Sequence, residues 1–470
     1  MWLGLLFSVF ALATRFDNML SEYERIDPNP VRTSMVLARI DFFREKLVQC
    51  VILANYFKCP PYTIETFLQY FVAEYFRSQD SQFGTWMIAG MLVRMAFRMG
   101  YHREPSRFSN ITPFKAEMRR RIWAMVVQTD LMSSAQVGLP RMIQLAMFDT
   151  HEPHNLTDED ISEDMTELPP SRPDSEGTTM LYALIRTRVL SVLARIMDLT
   201  NSSTQPAYRE IMELDTALRE VYDNVPPAYK AIRVKDFGDD IGINEIEMRR
   251  FYLGLNFLKG EIVLHRPYLL LGRTDSRYEY SRLACLDAAL EILQFQKIMN
   301  TDCRPGGRLW SQKWRLWSVS WRLSSLVAHD FLLATTVLCL DLNQDLVTPM
   351  HIPTDGITDR VRFKRGQPTR AEIVEALTSS YAIWVCESDK SHEAQRVATA
   401  VNLLLGKANA NPQVSPSESL LFSITAPLLF IPKLPCKVQL FSLATNALII
   451  QPHQLPKTTL PRSLSSTTPI

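Results

Sequence analysis

Residues 84–100 read GTWMIAGMLVRMAFRMG. Trp86, Ile88, Met91, Leu92, Met95, Ala96 and Met99 cover nearly every side of a helical wheel. A helix that is apolar all round is a buried one. Gly100 follows at the position where a helix end takes a left-handed turn. The stretch therefore predicts a central buried helix over 84–99.

Its neighbours carry the same 3.6-residue period. Upstream, 31–57 reads as a long helix, with Pro28 and Pro30 before it and Pro60 and Pro61 after it, and 64–76 follows. Downstream, Phe114, Met118, Ile122, Met125, Val126, Thr129 and Met132 form one stripe over 114–137. Thr112 is placed to cap that helix and Pro113 suits its first position. Glu117 and Arg121 stand one turn apart on its flank. The period then stops over 148–173, a loop with eight acidic residues and no Lys or Arg before Arg172. It resumes at 180–199, 207–222, 245–265, 279–299, 310–342, 371–386 and 393–405. The expected fold class is all-α, a multi-helix antiparallel stack.

Composition narrows the function classes. The 470 residues are 46% hydrophobic and 21% charged, enough for a large core. Lys and Arg number 51 against 50 acidic residues, so no basic excess exists to hold a polyanion along the chain. Gly is scarce at 16 while Pro reaches 28, which argues against Gly-rich phosphate loops. The seven cysteines include no C-x-x-C, so a zinc ribbon and a thioredoxin motif are excluded, and reduced thiols are expected.

The two ends differ from the body. Residues 1–13, MWLGLLFSVFALA, lack the basic flank of a signal peptide and are too short to span a bilayer. The expectation is a buried helix continuing through Thr14, Arg15 and Phe16, in a domain cut from something longer. From Asn411 onward there are nine prolines and one acidic residue, Glu418. Pro427, Pro432, Lys433 and Pro435 interrupt the apolar stretches and no unbroken, uncharged run of 18 residues occurs, so a poorly ordered tail is expected and a membrane anchor is not.

Enzyme signatures are missing: no G-x-S-x-G, H-E-x-x-H, P-loop or G-x-G-x-x-G occurs. Gly406 and Lys407 end like a P-loop, but Val401 stands where its first Gly belongs. His151 and His154 lie among carboxylates, yet Pro153 separates them and their spacing fits no helix face, which favours a solvated loop over a metal site. His329 and Asp330 sit inside an apolar helix and are expected to form a buried, hydrogen-bonded pair. Asp236, Asp239 and Asp240 have the density of a magnesium-binding helix, but Gly238 and Gly242 break it. Arg119, Arg120 and Arg121 splay over about 200° of a helix and cannot make one phosphate patch. A solvated rim, or one buried Arg holding a loop, is the expectation. No catalytic, cofactor-binding or metal residue is assigned, and no cofactor is expected.

The sharpest pattern is Trp310, Trp314, Trp317 and Trp321, half of the eight tryptophans on one helix face. They are the candidate face for an effector or partner. Core packing explains the same spacing.

Residues 86–158 resemble the fungal-specific transcription factor domain, the regulatory middle region of fungal Zn2Cys6 zinc-cluster proteins. The likeness rests on Trp86, Gly90, Arg94, Met95 and Ala96, the run GYHREPS at 100–106, EMRRRIW at 117–123, then Asp130, Ser134, Gly138, Leu139 and Pro140. Asp149, Pro153, Asn155 and Asp158 follow, with LHRPY at 264–268, HDFLL at 329–333 and LCLD at 338–341. The order is right and the likeness covers about 3–406.

The resemblance implies an all-α regulatory domain over 1–406, followed by a Pro/Ser/Thr-rich tail over 407–470. It implies a nuclear regulator of fungal metabolic genes, with a secondary-metabolite gene cluster as the expected target. The family's zinc cluster needs C-x2-C-x6-C repeats on a basic segment, and the sequence contains none. Zinc and DNA are therefore expected only through a region outside these residues. A protein partner or small effector is expected, a membrane is not, and homodimerisation stays open. The rival readings are a DNA-binding-deficient protein that titrates a partner regulator, and an all-α enzyme.

Overall fold

A computed structural model describes residues 1–24, 30–77, 80, 83–230, 245–302, 325–347 and 368–409. All belong to one compact unit, Met1–Pro432. Among the described residues there are twelve α-helices and no strand. They are α1 (Trp2–Glu24), α2 (Pro30–Leu53), α3 (Thr63–Tyr75), α4 (Phe83–Arg98), α5 (Pro113–Val137) and α6 (Leu181–Thr200). Then come α7 (Tyr208–Asp223), α8 (Glu245–His265), α9 (Glu279–Asp302), α10 (Ser325–Val347), α11 (Arg370–Glu387) and α12 (His392–Asn409). The all-α expectation holds. No helix among the described residues is long and apolar enough to cross a membrane.

The central helix forms as its sequence dictates. On α4, Ala89, Leu92, Val93 and Ala96 are almost sealed from solvent. Gly100 turns the chain at φ 71°. Tyr101 N then donates to Ala96 O and Gly100 N to Phe97 O, both at 3.0 Å, which satisfies the last carbonyls of the helix. Helix α5 is closed at both ends by local chemistry. Thr112 Oγ1 accepts from Lys115 N at 3.4 Å, and Gly138 sits at φ 67° with Leu139 N donating to Ser134 O at 3.0 Å.

Two cores follow from the pairing. Helices α2 to α5 enclose Leu47, Ile64, Phe67, Leu92, Trp123 and Val126. Helices α8 to α12 enclose the larger one, around Phe251, Leu286, Leu293, Val337, Leu377 and Val401. Between them, Leu131, Met132 and Ala135 of α5 pack on Leu190, Leu193 and Met197 of α6. Helices α6, α7 and α8 then share Ile196, Leu214, Leu218 and Leu264.

Some expectations shift. The N-terminal helix is buried on one side only: Ser8, Ala11 and Leu12 face inward, but Trp2, Leu3, Val9 and Phe10 stand 41–58% exposed. An apolar run marks a helix, and only its packing partners decide which sides it buries. The helix read over 31–57 ends at Leu53, and a 3-10 turn follows at Tyr56–Lys58. Asn55, Cys59 and Tyr62 all take left-handed φ there (50°, 52° and 68°). The last helix runs past Gly406 to Asn409. The start of the helix read over 310–342, Asp236, Asp239 and Asp240, and the tail from 411 lie outside the described residues.

Candidate functional site

The family-like residues converge on buried ion pairs that fasten loops to helices. The first cluster surrounds Glu104 and Glu117. Arg120, three residues along α5 from Glu117, is ion-paired with Glu104 and lies 3.5 Å from Glu117 Oε2. The two carboxylate side chains are 2% and 0% exposed. Burial opposes ionisation of Glu104, but hydrogen bonds from Arg120, the His151 amide and Ser106 outweigh it and hold the carboxyl down at about 2.

Those carboxylates also grip the acidic loop by its backbone. His151 N donates to Glu104 Oε2 at 2.9 Å, and His154 N to Glu117 Oε1 at 3.0 Å. Arg121 reaches Asp158 at 2.9 Å and Leu156 O at 3.4 Å. Arg119 goes elsewhere, stacking over the Tyr101 ring at 4.3 Å and donating to Met99 O at 2.6 Å. The expected buried Arg holding a loop is thus Arg120, and its two neighbours are not a solvated rim. The loop is anchored as well as acidic: Asn155, 1% exposed, donates to the carbonyls of Arg172, Pro173 and Glu176 at 3.1–3.2 Å. His154 Nδ1 lies 3.0 Å from Glu117 and His151 Nδ1 3.5 Å from Glu104, so the two imidazoles serve different carboxylates. Among the described residues no group of three or more His, Cys, Asp or Glu is placed to hold a metal.

The turn after α5 is held in the same manner. Asp130 Oδ2 accepts from Met142 N at 2.9 Å and Ile143 N at 2.8 Å. Arg141 continues the strap to Asp198 on α6 at 2.6 Å.

A second cluster joins α7, α8 and α9. His265 Nδ1 lies 2.9 Å from Ser281 Oγ, and His265 Nε2 3.1 Å from Asp215 Oδ1. Tyr208 reaches Ser281 at 2.9 Å, and Tyr280 donates to Asp215 Oδ2 at 2.7 Å. The Ser-His-Asp order has the connectivity of a nucleophilic triad. Yet all three residues are 0% exposed, so no substrate reaches the hydroxyl. The arrangement satisfies buried polar groups instead. Beside it Arg219 pairs with Asp215 and Glu261. Burial pushes the Glu261 carboxyl up to about 8 despite Arg219.

A third cluster joins α8 to α10. Lys259 Nζ lies 2.7 Å from Asp330 Oδ1, both side chains under 5% exposed. His329 does not join in as expected. Its Nδ1 is shut off from solvent with no hydrogen-bond partner among the described residues. Burial and the Lys259 and Arg266 cations push its imidazole down to about 3, which keeps it neutral. Farther along α10, Asp341 accepts from Arg282 at 2.9 and 3.0 Å and from Arg273 at 3.1 Å.

Sequence reading missed the second cluster because its members are spread over three helices with no motif spacing. The signal available was a charge inside an apolar run, Glu261 above all. Trp310, Trp314, Trp317 and Trp321 lie outside the described residues.

Residues 3–223 match the family model described as the fungal specific transcription factor domain. The chain carries a fungal-specific transcription factor domain. It is 39% identical over 89% of its length to the Zn(2)-C6 fungal-type transcription factor mpsB of Macrophomina phaseolina, covering 54% of that protein. It is 41% identical over 87% of its length to the Zn(2)-C6 fungal-type transcription factor pigI of Monascus ruber, covering 47%. The equisetin cluster transcription factor eqxF of Fusarium heterosporum is 35% identical over 89% of the chain, with 57% covered. The chain spans about half the length of the curated relatives it matches. No solved structure matches it. The transcription factor domain thus contains the Glu104–Arg120–Glu117 cluster and Asp215. The likeness continues beyond residue 223 into the helices that hold Lys259, His265 and Asp341.

Proposed function

We propose that the chain regulates transcription of fungal metabolic genes, in particular those of a secondary-metabolite cluster, and that it acts in the nucleus and is not an enzyme. One observation carries this: identity of 35–41% over most of the chain to proteins named as transcription factors, one of them for the equisetin cluster. The buried clusters agree with a regulatory role. They use Ser281, His265, Asp215 and Glu261 in buried contacts that fasten helices together.

The role of the helical body would be to set how its helices pack in response to a partner or small effector. Such a ligand acts by binding one packing better than another. Trp310, Trp314, Trp317 and Trp321 remain the proposed face for it, on sequence grounds. DNA would be read by a zinc-cluster segment, whose cysteine pattern these 470 residues do not contain.

The test is deletion and overexpression of the gene in its host with transcript profiling. The expected result is a coordinated change in one contiguous biosynthetic cluster. Unchanged transcripts in both strains would refute the proposal. A fall in cluster transcripts on overexpression, reversed by extra copies of a full-length zinc-cluster regulator, would favour the partner-titrating rival.

A further inference from the structure

Helix α8 ends on a cation that no carboxylate meets. Arg266 belongs to the run LHRPY at 264–268 and opens the 3-10 turn Arg266–Tyr268. His265, one residue earlier, turns to Asp215 and Ser281. Arg266 points about 100° further round. Val263 and Lys259 lie one and two turns before it on the same side. There its charge acts on Cys285 of α9 and on His329 of α10. The half-buried guanidinium has no hydrogen bond and no ion pair among the described residues. Its nitrogens are not among the polar atoms shut off from solvent, so water reaches them.

The neighbouring arginines are held differently. Arg273 and Arg282 share Asp341, and Arg219 takes Asp215 and Glu261. These pairings occupy the carboxylates nearest to Arg266, and burial pushes its guanidinium below the usual arginine range. Lys259 and Arg266 bring two positive charges to the junction, and Asp330, 2.7 Å from Lys259, brings one negative charge. His329 stays neutral, and its Nδ1 is sealed without a partner among the described residues. The cluster is left with one positive charge in excess and with donors unused. An uncompensated charge in the interior lowers stability. Proteins keep such departures chiefly at functional sites.

We infer that Arg266 anchors a binding site for a small monocarboxylate at the junction of α8, α9 and α10. One negative charge is what the cluster lacks, and a dianion such as phosphate would over-compensate it. The planar guanidinium fork matches the two oxygens of a carboxylate. Val263 beside it packs against the apolar core of α8 to α12, which favours an acid with an aliphatic body. The site gives a chemical class to the small effector proposed above. It rests on that reading for its regulatory consequence, and the binding itself does not depend on it.

The experiment is a saturation-transfer NMR titration of butyrate on the full 470-residue chain, at ionic strength fixed with chloride and with butyramide as the neutral control. Wild type is expected to bind butyrate saturably with Kd about 1 mM or tighter, and butyramide not at all. Arg266→Met should abolish the binding. Because it removes an uncompensated charge, it should also unfold at a denaturant midpoint no lower than that of wild type. Arg266→Lys keeps the charge without the fork and should bind at least about tenfold more weakly. No saturable binding to wild type up to about 20 mM overturns the inference. So does equal binding of butyramide, or butyrate affinity unchanged in Arg266→Met or Arg266→Lys. An Arg266→Met chain that fails to fold overturns it too, since the charge would then be part of the scaffold. Transcript profiling in the host tests the regulatory reading separately.

Discussion

Glu104→Gln should loosen the acidic loop in a way that depends on pH. The carboxyl drops from an ordinary 4.5 to about 2 in the folded chain, with burial opposing the shift and the Arg120, His151 and Ser106 hydrogen bonds driving it. At about 1.4 kcal/mol per pH unit, the drop corresponds to about 3 kcal/mol at neutral pH. The side chain is 2% exposed, so solvent screening takes little of this away. A second route agrees: removing one partner of a buried ion pair costs about 3–5 kcal/mol. Because the folded value is the lower one, this stability is present above pH 4.5 and is lost as pH falls toward 2. The gap between wild type and Glu104→Gln should therefore be about 3 kcal/mol at pH 7 and about half that at pH 3. Other carboxylates titrate in both proteins and cancel in the difference. The assay is denaturant unfolding at both pH values, with hydrogen exchange of the His151 amide as the local readout. A gap below about 1 kcal/mol at pH 7, the worth of an ordinary exposed pair, would refute the reasoning. So would a gap that does not shrink with acid.

Four further outcomes follow from the packing. Lys259→Met should cost about 3–5 kcal/mol by leaving Asp330 buried and uncompensated, and Lys259→Met with Asp330→Leu should recover most of it, as measured by denaturant midpoints. Gly272→Ala should destabilise by about 2 kcal/mol or more, because a Cβ would meet Tyr278 O at 2.6 Å and Arg282 Cβ at 2.7 Å. Gly84→Ala, with open space around it, should stabilise α4 by about 0.5–1 kcal/mol, and thermal melts separate the two. Cys285 and Cys339, buried and pushed up to about 12, should resist a thiol reagent until the protein unfolds, whereas exposed Cys386 reacts at once; mass spectrometry of timed samples checks this.

What was legible in the sequence is what local chemistry determines. Thr112 and Pro113 open α5 through contacts within one turn, so their types were enough to place its start. The Arg run was legible for a similar reason. Helix geometry alone forbids three consecutive residues from sharing a patch, and the structure sends Arg119, Arg120 and Arg121 in different directions. Pairings across helices were not legible. Asp215 and His265 are 50 residues apart, and no spacing rule links them. His329 and Asp330 were read as one pair because they are adjacent, but adjacent helix residues point about 100° apart. Asp330 meets Lys259 and His329 does not. The first helix shows the same limit. Its composition announced an apolar helix and could not show that one side lacks a neighbour among the described residues.

The polar clusters have a common logic that bears on regulation. Helices packed through Leu, Ile and Met alone can slide with small loss, since many apolar registers are nearly as good. A buried charge pair has one good register, and leaving it strands both charges uncompensated in the interior. Here such pairs lock α5 to Glu104 in the turn after α4, α8 to α10 and α9 to α10, and the His265–Asp215 contact ties α7 to α8. A ligand that altered the packing would have to break a discrete lock, so intermediate packings are disfavoured and the response becomes two-state. The contacts differ in exposure. The Lys259–Asp330 pair is sealed on both sides, whereas Arg121–Asp158 has an aspartate that is 78% exposed. The Arg121–Asp158 pair can open to solvent at little cost, and the α8–α10 lock cannot. Motion that leaves the core intact should therefore begin at the Asp158 end of the acidic loop, where no buried carboxylate holds the backbone as Glu104 and Glu117 hold His151 and His154.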